Sequence, residues 1–494
     1  MAVRPSVQQF VLLPPRGIGV AAAIPPVAKF FRTICKMGKF EICQTPRVQM
    51  RVLDSIRKDG PKLVELSPDN ARALRAHQPG LRIVPVVYFR PAVAPRVAAE
   101  KSPGAAGRTA VKIQFKIVSK KDGSPVAGAM VVAFTHFTGR IGASGTSNSQ
   151  GDVRLALGGA SKKIERLYVY PAKNFWSAIR MNFTLTSGME VGLAPVDLAA
   201  IDALRYFYGR SSETAGKGIK VAVIDTGIDR THPDLKVQGG MNTVVGEDPA
   251  DFGDNGEGHG THVAGIIAAR GTPPAGIRGI APNASLLSYR VFGKKSGGAT
   301  NYAIAKAIDR AVTDGCDLIN MSLGGGDPDH ATRAAIEDAR ARGTLVIVAA
   351  GNDGHAPVSF PASDSMSIAI SAMGRKGTFP ADATETGDVA PPYGKDKKNF
   401  VAGFSNIGPE IDLIGPGVGI LSTVPGGYAP MSGTSMSCPA VTGLAARLLS
   451  ARKDILGMKR NQARSDAMAH ALLTSTVLLG FGAKYEGQGL PQTK

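Results

Sequence analysis

The spacing of apolar positions changes character three times along the chain, and each change predicts a different unit. From Val48 to Arg90, an alternating VQMRVL, a polar SPDNARALRAHQ and an apolar PGLRIVPVVYF predict strand, helix and strand. Ser67 is placed to start the helix, with Pro68 at its first position. This gives a small α/β unit over 46–95, preceded by an N-terminal segment, 1–45, read as disordered, and followed by a Pro/Ala-rich linker at 96–108. From Val111 to about Val191, the short segments VKIQFKIV, AMVVAFTHF, DVRLAL, RLYVYP and MNFTLT are separated by turn signals such as DGSP and SQGD. An all-β sandwich over 109–195 follows from that spacing. From Lys220 the rhythm becomes strand, then helix: KVAVID then HVAGIIAA, SLLSYRVF then YAIAKAIDRAV, CDLINMSL then ATRAAIEDARA, TLVIVAAG then SIAISAM. Near-continuous apolar strands with helical spacers predict βαβ crossovers, hence an α/β doubly wound parallel sheet over 196–490. Functional residues of such sheets gather at the carboxyl ends of strands, where Asp225, Ser322 and Asn352 fall.

Composition adds limits rather than chemistry. A chain of 494 residues exceeds what one core usually supports, which agrees with several units. Cys35, Cys43, Cys316 and Cys438 are too few and scattered for a disulfide scaffold, and no CxxC pair suggests zinc. Cys438 reads as a buried structural thiol. The net charge of +19 is mostly N-terminal, with 18 Lys and Arg against 6 Asp and Glu before residue 109. These basic residues are dispersed and lack interleaved aromatics, so they read as a solvated face, and no nucleic-acid partner is expected. No apolar run reaches the roughly 18 residues a membrane span needs. Pro14, Pro15, Arg16, Pro25 and Pro26 break the amino-terminal apolar pattern, so no signal peptide is read. The compartment therefore stays open between cytoplasm and secretion.

Three segments carry candidate chemistry. In VAVIDTGID, Asp225 ends an apolar strand and presents a carboxylate to a turn, a place that suits a turn cap as well as a catalytic group. In GHGTHVAG, His259 stands at a Gly-flanked helix entrance and His262 three residues on. No HExxH pattern and no nearby Cys or Glu at ligand spacing supports a metal there. With Asp225 holding its other nitrogen, His259 could be a general base, leaving His262 as a packed residue. In MSGTSMSCPAVTGLAARLLS, Ser435 begins an apolar helix, where unpaired amides and the dipole favour negative charge; an N-cap serine fits the segment equally.

Together the order Asp, His, Ser within IDTGID, HGTHVAG and GTSMSCPA resembles the subtilisin-like serine peptidases, the subtilases. The likeness runs from about Lys217 to Gly489 through HPDLK, GIAPNASL, INMSLGG, AAGNDG, FSNIG and DLIGPG. The resemblance implies a serine endopeptidase acting on polypeptides through an acyl-enzyme. Asp225, His259 and Ser435 would form its triad, and Asn352 would donate to the oxyanion. It further implies that Ser322, Leu323 and Gly324, with Ser296, Gly297 and Gly298 opposite, receive an extended substrate, and that Ala349, Ala350 and Gly351 wall the primary specificity pocket. Lys294 and Lys295 border neighbouring subsites, from which a preference for acidic residues is expected. No cofactor is implied for the chemistry. Asp234 matches a ligand of a calcium loop found in many subtilases, but the loop here, RGTPPAGIRG, lacks the carboxylates and amides calcium needs, so no calcium is expected. The small α/β unit resembles the family's inhibitory propeptide, which makes the chain's own N-terminal region an expected intramolecular inhibitor and self-processing an expected event. A catalytically dead binding relative and an esterase or acyltransferase are the competing classes.

Overall fold

The computed structural model describes residues 7–14, 42–45, 48–78, 80–101, 111–158, 162–294 and 297–493. Its largest unit is the sheet that begins at Lys220. Val237–Asn242, Ser285–Arg290, Lys220–Asp225, Leu318–Met321, Leu345–Ala349 and Ile368–Arg375 lie side by side in that order, all parallel. Asn399–Ala402 and Val389–Tyr393 extend it antiparallel, and Leu413–Pro416 pairs parallel with Ile368–Arg375. Side chains alternate across a strand, and the central strand shows the result. Val221 and Val223 pack with the helices His259–Ala268 and Thr434–Ser450, while Ala222 and Ile224 pack with Asn301–Thr313 and His330–Ala341. Helices therefore cover both faces, the doubly wound arrangement.

One segment departs from the strand-then-helix rhythm. SIAISAM, expected in a helical slot, is the strand Ile368–Arg375, buried along its whole length. It pairs directly with Leu345–Ala349 through 350–367, a connection without a helix. Its run of small and β-branched residues suits a strand covered on both faces.

Residues 111–193 fold into two facing sheets. One holds Ala178–Thr184, Lys163–Tyr170, Met130–His136, Ile141–Thr146 and the short Glu100–Lys101; the other holds Asp152–Leu157, Val111–Ser119 and Glu190–Leu193. Phe115, Ile117, Leu155, Val131, Leu167 and Val169 fill the space between them. The opposite face of the larger sheet is also apolar, with Val132, Phe134, Tyr168 and Tyr170 buried there.

The small N-terminal unit is a five-stranded antiparallel sheet in the order Ile42–Thr45, Val48–Ser55, Lys62–Leu66, Gln8–Leu13, Arg82–Pro85. Ser67 caps the helix Pro68–His77, accepting from the Asn70 N–H at 3.2 Å. Gln8–Leu13 comes from the segment read as disordered, yet it lies between the predicted strand Arg82–Pro85 and Lys62–Leu66, a strand not predicted from the sequence. Its Val11 and Leu13 are almost wholly buried, which offsets the ordering entropy of that stretch. One face of this sheet packs on the helix Pro68–His77; through Val11, Leu13, Leu53, Leu63 and Val84 the other meets Tyr302 and Ala331 of the large unit. Lys306 and Asp54 form an ion pair across the same junction.

Candidate active site

The strand Lys220–Asp225 ends with the Asp225 carboxylate fully buried, where Oδ1 accepts from the Thr226 N–H at 2.7 Å and lies 2.7 Å from His259 Nδ1. That contact needs the His259 helix close to the strand end. Gly260 makes the approach possible, because a Cβ there would sit 2.3 Å from the Gly227 carbonyl oxygen. With Nδ1 facing a carboxylate oxygen, Nδ1 carries the proton and Nε2 keeps its lone pair. Nε2 is buried and has no partner. His262 has a different role. Its Nε2 is within 3.1 Å of the Ile420 carbonyl and 3.0 Å of the Ala429 carbonyl, and burial pushes its pKa down to about 3, so it is a neutral packing residue.

Ser435 is the second residue of the helix Thr434–Ser450. Pro439 lies four residues on and has no N–H to give to the Ser435 carbonyl. The Ser322 hydroxyl donates to that carbonyl instead, at 3.0 Å, while the Ser435 hydroxyl donates to the Ser322 carbonyl, also at 3.0 Å. Cys438 lies on the same helix, its thiol against Asn320 Oδ1; burial raises its pKa, which leaves it without nucleophilic character. Asn352 follows the strand Leu345–Ala349. Its Oδ1 accepts from the Thr434 N–H at 2.8 Å, which fixes the amide so that Nδ2 is the free end, buried and unpartnered. Buried polar atoms without partners are rare, and His259 Nε2 and Asn352 Nδ2 both stand at this site.

Against Ser435 and Ser322 lies the chain itself. Tyr88–Pro91 runs antiparallel to Ala299–Thr300 on one side and to Leu323–Gly324 on the other. The Ala92 N–H donates to the Ser322 carbonyl at 3.0 Å, and the Ala92 carbonyl accepts from the Ser435 N–H at 3.0 Å. Beyond it, the Ala94 N–H donates to the Ser432 carbonyl at 3.0 Å. Gly433 has φ of 151°, and a Cβ there would come within 2.7 Å of the Ala92 oxygen, so glycine clears the path for that carbonyl. An extended peptide is thus held as an added strand with one carbonyl at a helix N-terminus beside a serine hydroxyl.

The residues named from sequence are unevenly placed around this peptide. Asp225 and His259 are paired, and Asn352 is joined to the Ser435 helix through the Thr434 N–H. Leu323 and Gly324 pair with the peptide, and Ser322 bonds to it. Gly297 and Gly298 line a cavity of about 740 Å³ along it, with Gly324, Gly351 and Asn352, but the residues that pair are Ala299 and Thr300; Ser296 lies outside the described residues. Ala349 and Ala350 are wholly buried in the packing on either side of the sheet and do not line that cavity, whereas Ser359 and Gly325 do. Lys294 needs a correction. Its ammonium bonds to Asp251 at 2.9 Å, holding that carboxyl below its ordinary range, so it is not a free cation for acidic substrate residues; Lys295 lies outside the described residues. Sequence reasoning missed Thr434, which orients Asn352, and the peptide Tyr88–Ala92 itself. A motif of apolar residues followed by Arg-Pro-Ala-Val-Ala-Pro was the available signal, since residues before proline are held extended.

Residues 216–490 match the family model Peptidase_S8, described as the Subtilase family. The chain belongs to the subtilase family. It is 37% identical over 269 residues to an alkaline protease of Alkalihalobacillus alcalophilus, a match covering 54% of this chain and 63% of that protein. Similarity to Subtilisin BL of Lederbergia lenta is also 37% over 269 residues, covering 88% of that protein. To Subtilisin E of Bacillus subtilis (strain 168) it is 36% over 280 residues, covering 56% of this chain and 64% of that protein. The chain therefore spans less than two thirds of the length of two of these relatives, 63% and 64%, and 88% of another. The family match falls on the doubly wound unit of this subtilase. Among the described residues no helix is long and apolar enough to cross a membrane.

Proposed function

We propose that this subtilase is a serine endopeptidase that hydrolyses peptide bonds through an acyl-enzyme on Ser435. The Ser435 hydroxyl turns about χ1 from the Ser322 carbonyl towards His259 Nε2, gives up its proton there and attacks the substrate carbonyl carbon. Asp225 keeps the proton on His259 Nδ1 and stabilises the imidazolium. The Ser435 N–H and Asn352 Nδ2 receive the charge that develops on the carbonyl oxygen. His259 then protonates the leaving amine, and water, deprotonated by the same nitrogen, releases the acid. The observation that carries this reading is the Ala92 carbonyl accepting from the Ser435 N–H at 3.0 Å within a strand bound on both sides.

The same observation makes Ala92–Val93 the first bond to be cut and residues 7–92 an inhibitor of propeptide type, since they fill the cleft any other peptide would need. Intact-mass measurement of the purified chain tests both. Wild type should lose residues 1–92, and Ser435→Ala should keep them and hydrolyse no protein substrate. Loss of the segment from Ser435→Ala, or a stable uncut wild type that nonetheless hydrolyses casein, would defeat this assignment.

We also infer that the loop after the His259 helix holds no calcium. The Asp234 carboxylate already accepts from the Ile277 N–H at 2.8 Å and the Tyr428 hydroxyl at 2.9 Å. Residues 270–278 supply no carboxylate or amide side chain to complete an oxygen shell.

A further inference from the structure

The larger sheet of the β unit buries apolar residues on both faces, which its sandwich partner explains for only one. On the outer face, Phe134 meets Tyr168 edge-on with centroids 6.1 Å apart, and Tyr168 stacks on Tyr170 at 6.1 Å. The cover on this face includes the chain leaving the active site. After Ala92 enters the oxyanion position, Val93 to Lys101 runs away from Ser435 on the leaving-group side. Arg96 places its guanidinium 5.2 Å from the centre of the Tyr170 ring. Val97 and Ala99 pack against the Val132, Phe134, Tyr168 and Tyr170 cluster, while Ala98 between them is exposed. That alternation is an extended chain with one face down. Glu100 and Lys101 then pair with Ile141 and Gly142 at the sheet edge.

We propose that this aromatic face is a binding surface for the leaving-group side of polypeptide substrates, reaching at least seven residues past the cut bond. The surface selects a cationic residue at the fourth position after the bond and apolar residues at the fifth and seventh, as Arg96, Val97 and Ala99 occupy them here. The assignment rests on the endopeptidase reading above, because the segment marks a substrate path only if Ala92–Val93 lies where bonds are cut. Two features separate it from a merely structural cover. The occupant is continuous with the peptide in the cleft, and from the fourth to the seventh position its grip is one cation over a ring, two small apolar contacts and a hydrogen bond between the Tyr170 hydroxyl and the Val97 backbone, few enough for a second peptide to compete once the chain is cut, the ladder at Glu100 and Lys101 lying beyond them.

Two peptides with this chain's own sequence provide the test, one spanning 86–94 and one spanning 86–99, assayed with the full-length chain as purified. The long peptide should have a kcat/KM roughly ten-fold higher, carried by KM, from a cation–π contact and two partly buried apolar residues. Replacing the arginine of the long peptide that corresponds to Arg96 by alanine, with the one corresponding to Arg90 kept, should cost about three-fold of that. The ratio of long to short should fall to about one in Tyr170→Ala and return in part in Tyr170→Phe, which keeps the ring and loses the hydroxyl's hydrogen bond to the Val97 backbone. Because the chain's own cut end competes for the surface, the assay is repeated in Arg96→Ala, whose grip is weaker. Cleavage of both peptides with a ratio near one in wild type and in Arg96→Ala would overturn this proposal alone. A preference for the long peptide that survives Tyr170→Ala, or that resides in kcat, would overturn it too. Cleavage of neither peptide by wild type whose intact mass shows loss of residues 1–92, or by a chain beginning at Val93, would remove the endopeptidase reading and this proposal together.

Discussion

Asn352 is attached by the oxygen of its amide and leaves the nitrogen free, and two substitutions separate the roles of the two ends. Asn352→Asp keeps an oxygen for the Thr434 N–H, which donates to Asn352 Oδ1 at 2.8 Å, but replaces the free Nδ2 with a second acceptor. Asn352→Leu removes both. If Nδ2 serves the developing oxyanion, both variants lose the donor, and kcat should fall by about 10² to 10³, or about 2.7–4 kcal/mol; that range was set by the oxyanion asparagine of a subtilisin, a relative of this chain. KM should stay within about two-fold of wild type, since the donor is engaged mainly in the transition state. Asn352→Asp should be the worse of the two, because it sets a negative charge against another. Stability should rank the other way. Asn352→Leu strands the Thr434 N–H, at a cost of about 1–3 kcal/mol, whereas Asn352→Asp retains its acceptor. Measuring kcat and KM on a peptide amide beside the thermal midpoint of each variant tests the whole pattern. Retention of kcat within ten-fold of wild type in Asn352→Asp, with loss only in Asn352→Leu, would show that the residue merely props up Thr434 and would refute the donor role.

Other outcomes follow from contacts already described. Ser322→Ala should cost about 1–3 kcal/mol, because the Ser435 carbonyl then has neither the hydroxyl nor a Pro439 N–H; Ser322→Ala with Pro439→Ala should recover part of this, and simple additivity in urea unfolding would disprove the coupling. His262 is neutral when folded, with its pKa lowered to about 3 from 6.5, so the unfolded chain binds more protons between those values. Wild-type stability should therefore fall as pH drops from 6.5 towards 3, by at most about 1.4 kcal/mol per pH unit from this group; His262→Gln should show a shallower slope by calorimetry, and an unchanged slope would count against it. Excess EDTA should leave the thermal midpoint within about 1 °C, since Asp234 is committed to Ile277 and Tyr428; a fall of several degrees would reveal a bound cation.

How legible the molecule was depended on whether the deciding contact was local. The strands Lys220–Asp225, Leu318–Met321 and Leu345–Ala349 lie within apolar runs readable from the sequence, because a strand covered on both faces must be apolar throughout. Asp225, His259, Ser435 and Asn352 were each ambiguous alone, and their common motif order, rather than any one segment, singled them out. Gln8–Leu13 escaped because its partners, Lys62–Leu66 and Arg82–Pro85, are some fifty residues or more away, and prolines around it suggested no fixed structure. SIAISAM escaped because a short apolar run carries no period that separates helix from buried strand. Lys294 was read as free since nothing nearby in sequence predicts that Asp251 would fold against it.

The route from Ala92 to Val93 has a consequence for control. While that bond is intact, the small N-terminal sheet and the cleft share one molecule, so the blocking strand faces Ser435 at a high effective concentration that dilution does not change. Cutting the bond makes the same contacts bimolecular. The apolar face formed by Val11, Leu13, Leu53, Leu63 and Val84 must then hold the fragment by affinity alone, and release is governed by its off-rate and by volume. A single hydrolysed peptide bond would thus convert a tethered plug into a ligand with a dissociation constant, and the lag before activity should shorten as the enzyme is diluted.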